Sequence, residues 1–321
     1  MFTEIPSHQP LVSVSRGAVI ESVHYGSAIV IDSHDTVISR LGNPAAPMYA
    51  RSSLKPLQAL AMVRAGFQGT AEQITLACAS HSGEDFHINT VHSILNAYDL
   101  DESALLNTPD LPIGVAARND ALKGDVQPEP ILQNCSGKHA AMLATCIENK
   151  WDTRTYLDPD HPLQQLIRQT IEEVTGEEIS GITVDGCGAP LFYLSLEGVA
   201  RGFKHIATTA VTHPDSAEGL IYNSIITAPQ YLGGTDRDVT DMMTAFPGLM
   251  TKDGAEGVHV GAFGDGSVFA IKVSDGGQRG RVAATLRALE LLGYCDDDLQ
   301  AKHLPKVLGH GEVVGEVKAL L

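Results

Sequence analysis

Short segments rich in valine and isoleucine stand at both ends of this chain, and almost everything between them reads as helix. LVSVS, AVIESVHY, SAIVID and TVISRL fall between residues 11 and 41. Gly17, Gly26 and Ser33-His34-Asp35 separate them as turn signals. GVHVGAF and SVFAIKV repeat the pattern at 257–273, around Gly264-Asp265-Gly266, a hairpin signal. A strand pair cannot bury its apolar face alone. Early and late strands are therefore expected to share one sheet, with helical material inserted between them. That order predicts an α+β sandwich with a mainly antiparallel sheet.

Between the ends, apolar residues recur at three and four spacing over 84–100, 136–151 and 161–176, which predicts helices there. SLKPLQALAMVRAG (53–66), LFYLSLEGVARGF (191–203), AEGLIYNSIITA (217–228), DVTDMMTAF (238–246) and a final RVAATLRALELLGY (281–294) read the same way, and ISGITVDGC (179–187) reads as a short strand. Pro56 falls in the first turn of its helix, where a missing N–H breaks no hydrogen bond. The expected organisation is a composite sandwich of residues 1–75 and 178–321, a mainly helical region at 76–177, and an active site between them.

Composition narrows the function. The 321 residues carry a formal net charge of −17, with 43% hydrophobic and 19% charged residues. Such a chain repels phosphate backbones and anionic lipid, which argues against nucleic-acid and membrane partners. The N-terminal MFTEIPSHQPLVSV lacks the basic-then-apolar order of an export signal. Five cysteines, Cys78, Cys135, Cys146, Cys187 and Cys295, are an odd and scattered set. They read as reduced thiols, which implies a cytoplasmic location. GxSxG, HExxH, Walker and GxGxxG patterns are all missing, so the corresponding enzyme classes have no support.

Five segments carry candidate chemistry. Ser52 and Lys55 form an S-x-x-K pattern that can be a capping serine with a surface lysine, or an amine and hydroxyl sharing one helix face. A lysine desolvated there loses proton affinity and can act as a base toward serine. LACASHSGED (76–85) can be a helix start with Ser82 as N-cap and Glu84 and Asp85 at the positive end. That account leaves Ser80 and His81 unexplained. QNCSGKHAAM (133–142) brings Cys135, Lys138 and His139 within one turn, and TVDGCGAP (183–190) adds Cys187 beside Asp185. Thiolates and imidazole are good zinc ligands, while the plainer reading is buried free cysteines, which are common, and an exposed histidine. Lys252, ahead of Asp253-Gly254, is either a solvated turn lysine or a second amine presented from a strand edge.

Together, RGAVIES, HYGSAIVID, LGNP, ARSSLKPLQ, CASHSGE, NCSGKHAAML, DHPLQ, DGCGAP and KDGAEGV, in this order, resemble the serine-dependent L-asparaginases of the asparaginase II family. The resemblance implies a serine β-lactamase-like and glutaminase-like fold and a homodimer. It implies two Ser-Lys pairs, Ser52 with Lys55 and Ser80 with Lys252. It also implies a zinc held by Cys135, Lys138 and Cys187, in a structural or substrate-orienting role. Arg51 and Asp185 match positions that hold the carboxylate and ammonium of L-asparagine, with His139 beside them. In the expected acyl transfer Ser52 attacks, Lys55 is its base, and Ser80 and Lys252 relay protons. The reverse assignment, with Ser80 attacking, stays open. So do a glutaminase, another β-lactamase-like acyl-serine amidohydrolase, and a zinc-binding regulator. A penicillin-recognising enzyme would bring Lys-Thr-Gly and Ser-Asp-Asn elements, whereas this chain has Lys252-Asp253-Gly254.

Overall fold

The computed structural model describes residues 6–321. Residues 1–5, and with them the start of the segment read above for an export signal, lie outside the described residues. The chain opens with β1 (Gln9–Arg16), β2 (Val19–Ile31), β3 (Val37–Leu41) and a short β4 (Pro47–Tyr49). A 3₁₀ turn over Arg51–Leu54 then runs directly into α1 (Lys55–Arg64), with Pro56 at its second residue. The helices α2 (Ala71–Ala77), α3 (Asp85–Ala97), α4 (Val115–Lys123), α5 (Ser136–Glu148) and α6 (Pro162–Thr175) follow. Next come β5 (Gly181–Val184), β6 (Pro190–Ser195), α7 (Leu196–Thr212), α8 (Ala217–Thr227) and α9 (Asp238–Ala245). The meander β7 (Met250–Gly254), β8 (Val258–Ala262) and β9 (Val268–Val273) leads to α10 (Gln278–Leu291) and α11 (Asp297–His303). β10 (Val307–Gly309), β11 (Glu312–Gly315) and β12 (Val317–Ala319) close the chain.

The early and late strands do share a sheet. Its order is β12-β1-β2-β9-β8-β7, with β3 also paired to β2, and every pairing is antiparallel. All five residues of β8 and five of the six in β9 are buried. A strand buried at every position needs cover on both faces. The packed helices α7 and α10 supply it: His259 turns toward Arg281 and Thr285 of α10, so alternation turns Val258 and Val260 to the opposite side. A second sheet, β4-β6-β5, lies beside the 3₁₀ turn. The fold is α+β with a mainly antiparallel sheet.

Several local readings change. Gly26 does not end a strand, because AVIESVHY and SAIVID form the single β2. The glycine is needed there for a close crossing: a Cβ would collide with the Lys272 carbonyl on β9 and with Leu11. LFYLS is strand β6 rather than the first turn of a helix, and α7 begins at Leu196 behind the Ser195 cap. RVAATLRALELLGY is not the last element, since β12 returns to pair with β1 as an edge strand. Ser82 does not cap α3; Glu84 does, and the Ser82 hydroxyl donates to the Gly233 carbonyl (2.9 Å). Among the described residues no helix is long and apolar enough to cross a membrane.

Candidate active site

The 3₁₀ turn before α1 delivers both residues of the S-x-x-K pattern, but not to each other. Among the described residues the Ser52 hydroxyl has no partner; it lines a cleft of about 890 Å³ that Ser80, Asn134, Arg237 and Asp253 also border. Lys55, the first residue of α1, is 1% exposed. Its amine donates to the Ala79 carbonyl and to the Ser80 hydroxyl, the latter at 3.1 Å. Ser80 sits in the loop after α2 and is 7% exposed. Ser52 and Ser80 thus line one cavity, with the buried Lys55 amine behind Ser80. The hydrogen-bonded pair is Lys55 with Ser80 rather than Lys55 with Ser52.

Lys252 belongs to β7, the edge of the large sheet, and is 0% exposed. β7 packs against the 3₁₀ turn that carries Ser52. The approach requires glycine at 254, where a Cβ would lie 2.8 Å from the Ala50 carbonyl oxygen and 3.1 Å from the Ser53 nitrogen. The Lys252 amine donates to the carbonyl and a carboxylate oxygen of Asp253, both at 2.6 Å. Burial pulls it down to about 8; the Asp253 carboxylate opposes this, and the nearby charges of Lys55 and Arg237 add to it. Asp253 is in turn held well below the usual carboxylate range by Lys252, Arg237 and Arg281, despite its burial.

A second polar cluster adjoins the cleft behind Asn134. Lys138, 2% exposed, donates to the Cys187 sulfur at 3.3 Å. The Cys135 thiol donates to Asn134 Oδ1 (3.2 Å). Contact with Cys187 and burial raise Cys135 well above the thiol range, while Cys187 is lowered by Cys135, Lys138 and His139 against its burial. Burial lowers the Lys138 amine, but Cys187, Cys135 and Asp185 more than offset that, and it ends above its ordinary value. His139 Nδ1 meets the Tyr156 hydroxyl at 2.8 Å, and the other side of its ring faces the Cys187 sulfur.

Among the described residues no three His, Cys, Asp or Glu side chains are arranged to hold a metal ion. Two thiols and an amine lie outside that description, and the set of Cys135, Lys138 and Cys187 has the soft-donor chemistry of a zinc site. The His139 imidazole, facing the Cys187 sulfur, is a further donor beside it. The residues therefore fit the ion chemically.

Arg51 adopts a left-handed backbone (φ 53°), unusual for a residue with a side chain. Its guanidinium donates to Asp185 at 2.8 Å. The two residues expected to grip the ends of an amino acid are thus brought together and satisfy one another. Arg237 and Asp253 are the site residues that the sequence reading passed over. Arg237 stands between Asp236 and Asp238, a setting that reads as solvated surface. Asp253 directly follows Lys252, and strand neighbours ordinarily point to opposite faces. No signal in the local sequence marks either one.

A family model described as L-asparaginase II matches residues 12–319. The chain belongs to the L-asparaginase II family. Membership sets its chemistry among the amidohydrolases. No curated protein matches the chain. Among solved structures, a putative β-lactamase from Bacteroides dorei shares 14% identity over 83% of this chain and 93% of its own, at a TM-score of 0.44. A β-lactamase from Mycobacterium bovis shares 12% identity over 87% and 95%, at a TM-score of 0.37. Both are loose likenesses.

Proposed function

We propose that this family member is an L-asparaginase, converting L-asparagine and water to L-aspartate and ammonia through an acyl-serine. The contact between the buried Lys55 amine and the Ser80 hydroxyl, beside Ser52 on the cleft wall, carries the reading. An amide is a poor electrophile and ammonia a poor leaving group. The reaction needs an activated hydroxyl and an acid for the departing nitrogen.

Ser52, the more accessible serine, attacks the side-chain carbonyl carbon. Its proton passes to a buried amine behind the cleft wall, and Lys252, poised near 8 beneath the lining residue Asp253, is available neutral at mildly alkaline pH. Ser80, hydrogen-bonded to Lys55, returns a proton to the nitrogen as the C–N bond breaks and ammonia leaves. Water then cleaves the ester by the same proton route in reverse, freeing aspartate and Ser52. Arg51 and Asp185 open their ion pair to hold the substrate carboxylate and ammonium. Cys135, Lys138 and Cys187 would hold a zinc, whose charge would fix these loops and help orient the substrate.

A second assignment makes Ser80 the nucleophile, because Lys55 touches that hydroxyl. Glutamine, one methylene longer, competes for the same site with a penalty of about 1–3 kcal/mol. The test is to incubate the pure protein with asparagine, glutamine and a chromogenic β-lactam, and assay ammonia and acid. Quenching the asparagine reaction and mapping the acylated peptide by mass separates the serines. Ammonia from asparagine with label on Ser52 is the expected result. Release from none of the three sinks the proposal, and label on Ser80 reverses the assignment.

A further inference from the structure

The turn between α8 and α9 takes no part in the chemistry above, yet it holds Ser80 by both backbone groups. The Ser80 N–H donates to the Leu232 carbonyl (3.1 Å), and Arg237 Nη1 donates to the Ser80 carbonyl (3.4 Å). Two residues on, the Ser82 N–H and hydroxyl both donate to the Gly233 carbonyl (2.8 and 2.9 Å). Thr235 donates from its N–H and hydroxyl to the two carboxylate oxygens of Glu84 (2.8 and 2.6 Å). The loop that carries Ser80 is therefore zipped along its length to residues 232–237. The other arm of Arg237 reaches across the cleft floor. Its Nη2 donates to Asp253 Oδ2 (3.1 Å), while Asp253 Oδ1 accepts from the Lys252 amine (2.6 Å).

One planar guanidinium thus spans from the Ser80 main chain to the carboxylate seated on Lys252. We propose that Arg237, acting with Asp253, is a positioning residue that holds the Ser80 and Lys252 halves of the active site in register. The proposal rests on the amide-hydrolase reading of the cleft. A fork is required because the two acceptors lie on different elements, a loop after α2 and strand β7. A lysine ammonium on a flexible stem is a point charge without that fixed geometry.

The charges facing the Lys252 amine are Asp253 on its own strand, Lys55 from α1 and Arg237 from the turn before α9. Cys78 at the end of α2 and His259 on β8 also lie within electrostatic reach. Arg237 lowers the amine's proton affinity and Asp253 raises it, so their removal acts in opposite directions.

Three variants test the clamp by pH–rate profiles. Arg237→Gln should move the rising limb to higher pH and Asp253→Asn to lower pH, each by about one unit, the size a neighbouring unit charge gives. Arg237→Lys keeps the charge, so its limb should stay near the wild-type position. Its kcat should fall by up to about 10²-fold with KM little changed, because geometry alone is lost. A general loss of structure would lower the rate at every pH without these opposed shifts. Limbs that stay put or move the same way in the first two variants overturn the proposal, as does full kcat in Arg237→Lys. If Arg237→Gln does not fold, the Arg237→Lys result decides alone. The Lys252 titration, followed by NMR in protein with ¹³C-labelled lysine, should show the same opposed shifts without any turnover. Failure of wild-type protein to release ammonia would sink the hydrolase reading, while that titration would still decide the clamp.

Discussion

Replacing Lys252 with methionine should change how stability depends on pH by an amount that the structure sets. The amine is 0% exposed and drops from 10.5 to about 8, chiefly through burial. The difference, 10.5 minus about 8, is about 2.5 units, which at about 1.4 kcal/mol per unit amounts to about 3–4 kcal/mol. Below pH 8 the amine is protonated both folded and unfolded, and the native state bears that whole cost. Above pH 10.5 it is neutral in both states and the cost is gone. Between those values folding releases a proton, so stability rises with pH by up to about 1.4 kcal/mol per unit. Methionine has similar length and no titration, so Lys252→Met should lack this rise. Urea unfolding of both proteins by circular dichroism at pH 7, 8, 9 and 10, with refolding checked, gives the two curves. Their difference should shift in favour of the wild type by about 2–3 kcal/mol from pH 7 to pH 10. Other lysines and the tyrosines titrate in both proteins and cancel. Asp253 lies far below this window and contributes nothing to the swing. A difference flat to within about 0.5 kcal/mol, the additivity error of such comparisons, would refute the account of a strained buried amine.

Ser80→Ala removes one of the two acceptors of the Lys55 amine and the proposed proton carrier; ammonia release should fall by about 10²–10⁴-fold with an unchanged circular dichroism spectrum. Activity of wild-type protein should rise through pH 8 as Lys252 loses its proton, and a pH–rate profile flat or falling from pH 7 to 9 would contradict that. Cys187→Ser removes the thiolate paired with Lys138, so elemental analysis of protein purified with zinc should find occupancy about 10-fold or more below wild type. Gly254→Ala puts a methyl 2.8 Å from the Ala50 carbonyl oxygen; it should destabilise by about 1–3 kcal/mol in thermal or urea unfolding and lower kcat by shifting β7 from the Ser52 turn.

The shared sheet was legible because its strands alternate or run continuously apolar, and both patterns survive without tertiary information. What failed was punctuation. Gly26 reads locally as a turn, and only the approach of β9 explains it as a crossing point. LFYLS joins a helical pattern without a break because β6 passes straight into α7 at Ser195. The three strands after α11 have three or four residues each, too few for any periodicity. In the site, the three-residue spacing put Ser52 and Lys55 on one face. The backbone is 3₁₀ over Arg51–Leu54, however, and the lysine turns inward to a hydroxyl 25 residues on. Spacing fixes which residues can meet along a helix and says nothing about a partner from another loop. The cluster of Cys135, Lys138 and Cys187 was suggested by the resemblance, and the structure brings it together between α5 and the turn after β5.

Lys55, Lys138 and Lys252 are buried to 2% exposure or less in a chain of net charge −17. Lysine is seldom buried so completely, because desolvating the ammonium costs several kcal/mol unless an anion offsets it. Lys138 has the Cys187 thiolate and Lys252 has the Asp253 carboxylate. Lys55 differs: among the described residues its partners are two neutral oxygens, the Ala79 carbonyl and the Ser80 hydroxyl. Core packing would be served better by methionine, so stability alone does not account for an amine there. The arrangement makes chemical sense where negative charge develops beside it. A serine attacking an amide carbon supplies that charge in the transition state, and an interaction stronger there than in the ground state is what accelerates a reaction.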